Sequence, residues 1–119
     1  MEYEKDLRIS DMMKMQNILW EKNKNDWDPM EEKYARNSLL WMMEEVGEVI
    51  AIIKKKDDNA IMNNEDVRNK FVEEMCDVLM YYNDTLLRYN ITADEISSAY
   101  IKKHDKNIKR NFKEEYKQI

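Results

Sequence analysis

The 119-residue sequence predicts an all-α domain arranged as a four-helix bundle, and three observations carry that expectation. Apolar residues recur at helical spacing through four long segments. Turn and capping chemistry falls between those segments rather than inside them. Only one Gly and one Pro are present, whereas hairpins, phosphate-cradling loops and dinucleotide fingerprints need glycine where φ is positive or a backbone must approach closely. Sandwiches, P-loop folds and Rossmann folds are thereby excluded.

The first helical pattern runs from Ile9 to Asn23, with Met12, Met13, Met15, Ile18, Leu19 and Trp20 on its apolar face. The stretch from Asn23 to Pro29 breaks it. Pro29 stands just ahead of a second helix expected over Glu31 to Lys56, acidic in its first turn and ending in Lys54, Lys55 and Lys56, as the macrodipole favours. Asp57, Asp58 and Asn59 stop that helix, and a polar link follows. Asn63 or Asn64 can cap a third helix reaching Tyr89, with Val67, Phe71, Met75, Val78, Tyr82 and Leu86 along it. Asn90 and Ile91 make the next turn. Thr92 and Glu95 form a capping box that opens a fourth helix through Ile96, Ala99 and Tyr100 to Lys113. The tail to Ile119 is expected to fray. With no repeat, low-complexity linker or shift in composition, residues 1–119 read as one domain with its core over 9–113.

There are 20 Lys plus Arg against 25 Asp plus Glu, a formal net charge of -5, and 43% of residues are apolar. That balance suits one folded domain and argues against duplex nucleic acid as a partner, because binding there rests on basic side chains that neutralise phosphates. No apolar run approaches the ~20 residues that span a bilayer. The segment from Met1 to Ser10 is charged, unlike a signal peptide. A single cysteine, Cys76, allows no intrachain disulfide, so the expected setting is the reducing cytoplasm and the expected place of Cys76 is the core.

Acids interrupt two of the apolar stripes. On the second helix Trp41 and Met42 are followed by Glu45, then by Glu48 and Val49; on the third, Phe71 is followed by Glu74, then by Asp77 and Val78. Acids at i, i+3 repel one another, and burying an unpaired carboxylate costs far more. In an antiparallel hairpin, residues equidistant from the turn are level, and the midpoint of these four acids is residue 61, inside the link. The two pairs should therefore face each other and call for a cation. Reflection through the next turn brings Lys103 and Asn107 of the fourth helix to the same height, and Arg110 follows them on the same face at i, i+4, i+7 spacing. A hard divalent cation with oxygen ligands fits such a site, Mg2+ above all, and it couples naturally to phosphate substrates. A ferritin-like di-iron centre does not fit, because it needs two Glu-x-x-His motifs and the only histidine, His104, follows Ile101 at that spacing.

The run Glu44-Glu45-x-x-Glu48, a gap of 25 residues, Glu74-x-x-Asp77, and then Lys103-x-x-x-Asn107-x-x-Arg110 resembles the MazG-type nucleotide pyrophosphohydrolases. Through Trp27, Arg36, Asn37 and Leu39-Leu40 it is similar to the dCTP pyrophosphatases of that all-α superfamily. The resemblance implies Mg2+-dependent cleavage of a nucleoside triphosphate to a monophosphate and pyrophosphate, with Mn2+ as a substitute and nucleotide-pool house-cleaning as the role. It implies metal ligands at Glu45, Glu48, Glu74 and Asp77, and catalytic roles for Glu44, Glu45 and Glu48, with Glu44 orienting or deprotonating the attacking water. Lys103, Asn107 and Arg110 would hold phosphate oxygens or the sugar, and Trp27 and Tyr81 would contact the base. A homodimer or homotetramer is implied as well. Two departures bear on the base: the segment from Trp27 to Arg36 is two residues longer than in those relatives, and Lys55 stands where they carry a second stacking tryptophan, for which Trp20 is a substitute. Cleavage of dUTP, of dCTP, of many triphosphates or of a phosphoribosyl nucleotide all stay open.

The blander readings are a solvated acidic face paired with lysines, a plain basic helix end at Lys103 to Arg110, and tryptophans that serve packing alone. A different class of function, a non-catalytic helical dimerisation or regulatory module, would gain nothing from four converging carboxylates.

Overall fold

The computed structural model describes residues 5–117, so Ile119 and the last step of the tail lie outside it. The chain forms α1 (Ile9–Asn23), a 3-10 turn (Glu32–Tyr34), α2 (Ala35–Lys55), α3 (Asp58–Asn63), α4 (Glu65–Arg88), α5 (Ala93–Lys109) and α6 (Phe112–Lys117). The described residues contain no strand. The fold is all-α, with the four long helices where periodicity places them and two short ones added in the link and the tail.

The boundaries follow local chemistry. The second long helix starts at Ala35 rather than Glu31, because Glu31 is extended and the Pro29 carbonyl is occupied by the Glu31 N–H (2.8 Å) and by Arg88. Asp57 accepts from the Ala60 N–H (2.7 Å) and so nucleates α3 within the expected polar link. Of the two asparagines at the next start, Asn64 caps, accepting from the Val67 N–H (3.1 Å). The capping box at Thr92 and Glu95 is complete in both directions. Asn90 turns the chain with φ 55°, the left-handed region that a short polar side chain tolerates. The fourth long helix stops at Lys109 instead of Lys113, since Arg110 leaves the helix in an extended conformation.

Helices α2 and α4 form the main packing seam, α1 and α3 lie on α4, and α5 leans on α1. Ser38 meets Asp84, Trp41 meets Tyr81, and Glu45 meets Asp77, so α2 and α4 run antiparallel with every one of these pairs centred on residue 61. The enclosed apolar side chains are few, Met13, Ala35, Val49 and Leu86, and the enclosed polar ones include Ser38, Asp84 and Arg88. The radius of gyration is 17.5 Å, against about 13.5 Å for a compact chain of this length. Apolar stripes are consequently left uncovered, Leu40, Met43 and Ile50 on α2 and Val72, Met75 and Leu79 on α4. Cys76 lies on that α4 stripe and is exposed, which corrects its expected place in the core: the face of α4 that carries it has no helix against it.

Candidate functional site

Three of the expected acids meet. Glu45 from α2 and Glu74 and Asp77 from α4 each present a carboxylate oxygen, all within 4.8 Å of one another. Glu74 is buried, while Glu45 and Asp77 are half-buried. The crowding is visible in their acidity. Partial burial first, then the charges of Asp77 and Glu74, a hydrogen bond to Glu74 and the charge of Glu48 push the Glu45 carboxyl above its usual range. Burial and the neighbouring charges of Glu74 and Glu73 do the same to Asp77, against a smaller opposing pull from Lys70. The Lys70 ammonium lies 2.9 Å from Oε1 of Glu74, one positive charge against three carboxylates. Oxygen-only donors that repel each other fit a hard divalent cation, whose charge removes the repulsion.

Beside the cluster opens a cavity of about 840 Å³, bordered by Glu44, Glu45 and Asp77 at one end and by Asp84 and Arg88 at the other. Aromatic side chains line it between those ends. Trp41 and Tyr81 face each other across the α2 and α4 seam with ring centroids 6.0 Å apart and planes tilted by 54°. Trp27 lies on the same wall, with 40% of its surface exposed. Burial, followed by the charges of Glu45, Asp77, Asp84 and Glu44, raises the Tyr81 hydroxyl above its ordinary value, so it stays a neutral donor. Apolar ring walls with a few fixed polar groups are the usual make-up of a small-molecule site.

The loop carrying Trp27 is tied down from three helices. Trp20 of α1 donates through Nε1 to the Asp28 carbonyl (2.8 Å), and Asn37 of α2 donates to Asp28 Oδ2 (3.1 Å). From α4, Arg88 donates through Nη1 to the carbonyls of Asp28 and Pro29. Its Nε meets Oδ2 of Asp84 at 2.7 Å, and the Ser38 hydroxyl donates to that same oxygen. Trp20 is thus a strap for the loop and is not part of the cavity wall.

The remaining expected residues are placed apart from the cavity. Glu48 is exposed and outside the close group of three, near enough to act on the charge of Glu45. Lys103 is exposed on α5. Arg110 pairs with Glu115 at 2.9 Å, donates to Asn107 Oδ1 at 3.2 Å and covers the Phe112 ring. None of these three lines the cavity, because α5 packs on α1 and not on the acidic seam. Four residues that sequence reasoning did not single out do take part: Trp41 from the apolar stripe ahead of Glu45, Asp84 and Arg88 on the cavity wall, and Lys70 beside Glu74. The signal for Asp84 was available, since it follows Asp77 by seven residues on the same face of α4 and stands four before a basic partner.

No curated protein and no solved structure matches the chain. Residues 34–112 match the family model described as the MazG nucleotide pyrophosphohydrolase domain. That span covers more than half of the sequence and takes in every acid of the cluster together with Trp41, Tyr81, Asp84 and Arg88, and the chain therefore belongs to the MazG nucleotide pyrophosphohydrolase family.

Proposed function

We propose that this protein hydrolyses a nucleoside triphosphate between its α and β phosphates, releasing a nucleoside monophosphate and pyrophosphate. The observation that carries the reading is the group of three carboxylates at the end of an aromatic-walled cavity. Glu45, Glu74 and Asp77, with Glu48 alongside, hold Mg2+, and Mn2+ substitutes. When bound, the cation neutralises charge on the phosphates and lowers the pKa of water. The chain does the rest. Glu44 accepts the proton of the attacking water, a role supported by its position on the cavity border next to Glu45. Trp27, Tyr81 and Trp41 enclose the base and sugar and exclude solvent from them.

Lys103, Asn107 and Arg110 serve as phosphate ligands, which requires that α5 reach the acidic seam in the working assembly. A thin apolar core, uncovered stripes on α2 and α4, and an α5 that stands off the body support a homodimer or homotetramer as that assembly. Nucleotide-pool house-cleaning in the cytoplasm is the role that suits such a reaction, with no duplex nucleic acid as partner and none of the described helices long and apolar enough to cross a membrane.

Pyrophosphate release from a panel of canonical and modified triphosphates, in Mg2+ or in EDTA, tests the reading with the wild type beside Glu48→Ala. Metal-dependent release that the substitution abolishes supports it. Folded protein that releases nothing from any nucleotide would sink it in favour of a non-catalytic helical module.

A further inference from the structure

The far end of the cavity holds an acceptor with nothing bound to it. Asp84 is 4% exposed and lines the cavity, and both of its hydrogen bonds, from Ser38 Oγ and Arg88 Nε, converge on Oδ2. Oδ1 makes none among the described residues. The carboxylate cannot turn away, because Oδ2 is pinned from α2 and from its own helix by two donors that are themselves enclosed. The Arg88 Nε lies 2.7 Å from Oδ2, and a carboxylate set against a guanidinium offers its other oxygen as a hydrogen-bond acceptor.

Its position relative to the acid cluster gives it a task. Asp84 follows Asp77 by two helical turns, about 10 Å along α4, and Tyr81 lies between them opposite Trp41. A nucleotide with its phosphates at Glu45 and Asp77 places its sugar and base against the ring pair. The part of the base farthest from the sugar then arrives at Asp84. In pyrimidines that position is the substituent at C4, and in purines the one at C6. An amino group there offers the N–H that Oδ1 lacks, whereas an oxo group sets two acceptors against each other.

We propose that Oδ1 of Asp84 reads the substrate base by accepting a hydrogen bond from its exocyclic amino group, so that the site selects cytosine or adenine nucleotides over their 4-oxo and 6-oxo counterparts. This rests on the pyrophosphohydrolase reading above. Asp84 is then a specificity-determining residue, and Ser38 and Arg88 are positioning residues that keep Oδ1 available.

The test compares kcat/KM of the full chain in Mg2+ for dCTP against dUTP and for ATP against ITP, in the wild type and in Asp84→Asn. The wild type should favour the amino member of each pair by about tenfold to a hundredfold, the range set by one hydrogen bond to a charged acceptor. In Asp84→Asn the amide oxygen stays with Ser38 and Arg88, which turns the NH2 group to the cavity, and the preference should reverse. Equal turnover within each pair, an oxo preference in the wild type, or an unchanged preference in the variant overturns the proposal. Should the variant not fold, wild-type turnover of the pyrimidine triphosphate that lacks any 4-substituent decides, with a loss of about tenfold or more against dCTP expected and equality overturning it. Calorimetric binding of dCMP and dUMP separates the two ideas. Selective binding of dCMP without any cleavage supports the base reading and removes the reaction. Cleavage without amino preference does the opposite, and neither binding nor cleavage removes both.

Discussion

The Ser38 hydroxyl on α2 donates a hydrogen bond to Asp84 on α4, 46 residues along the chain, in the seam between the two helices. Both residues are enclosed, at 0% and 4% exposure. The oxygen they share is also held by Arg88, whose other nitrogen reaches the carbonyls of Asp28 and Pro29. One buried network thus joins two helices and the loop that carries Trp27, and the aromatic wall of the cavity inherits its position from an ion pair.

Removing Arg88 should therefore be costly. Arg88→Ala leaves Asp84 enclosed without its counter-charge and frees the Trp27 loop, and a destabilisation of about 3–5 kcal/mol is expected in urea unfolding. Ser38→Ala, which removes one neutral donor, should cost only about 1–3 kcal/mol. The double substitution Asp84→Leu with Arg88→Met should be milder than Arg88→Ala, because no charge is stranded. An Arg88→Ala protein as stable as the wild type would show that the loop and the seam hold without the network.

The acid cluster predicts the opposite sign. Glu45 sits against two other carboxylates in the absence of metal, so Glu45→Gln should raise the melting temperature in EDTA by a few degrees, on the order of 1 kcal/mol or less for a partly solvated group. The same variant should lose most of the rise that Mg2+ gives the wild type, since stabilisation by a ligand depends on its affinity for the folded state. A wild type that melts alike in EDTA and saturating Mg2+ would count against a metal site.

The pH dependence of that difference has a definite direction. Glu45 and Asp77 ionise less readily in the fold than the ordinary carboxyl values of 4.5 and 3.8. An acid raised in the folded state costs nothing while it is protonated in both states. Its cost grows as pH climbs from the ordinary value through the raised one, and is full above that. The stability advantage of Glu45→Gln in EDTA should accordingly be largest near neutral pH and shrink as pH falls toward the carboxyl range. An advantage that is flat with pH would locate its source in packing.

Much of the site's register was legible before the structure, and for a plain geometric reason. Reflection through the link puts Glu45 level with Asp77, and the pairs Trp41 with Tyr81 and Ser38 with Asp84 share that centre because both helices rise equally per residue. Extending the same reflection to α5 assumes that a short turn folds the next helix back onto the same seam. Here the chain leaves Asn90 so that α5 rests on α1, and Lys103 stays in solvent. The start of α2 was misplaced since Arg88, which lies 59 residues beyond Pro29, captures the Pro29 carbonyl, and no local pattern records a contact of that range. The short α3 lies in a run of Asp and Asn that reads equally as a turn, and the Ala60 N–H bond to the Asp57 side chain caps its start while backbone bonds from Ile61 to Asp57 and from Asn64 to Ala60 complete it.

Cys76 offers a direct reading of the assembly. It is the one cysteine of the sequence and sits on the uncovered α4 stripe next to Met75, with Val72 55%, Met75 49% and Leu79 40% exposed on the same face. A stripe of that kind on a chain with so thin an apolar core is expected to be buried by another copy. If so, the wild type sediments as a dimer or tetramer, and the Cys76 thiol reacts slowly with an aromatic disulfide reagent at micromolar protein. Leu79→Glu places a charge in the stripe, which should shift the protein toward monomer and speed the reaction of Cys76 by about tenfold or more, the factor that 1.4 kcal/mol of lost association contributes. Because both readouts come from one side chain on one face, they must move together. A wild type that is monomeric with a fast-reacting thiol would mean that the α4 stripe stays open in solution, and that α5 reaches the acidic seam by some movement of its own chain or not at all.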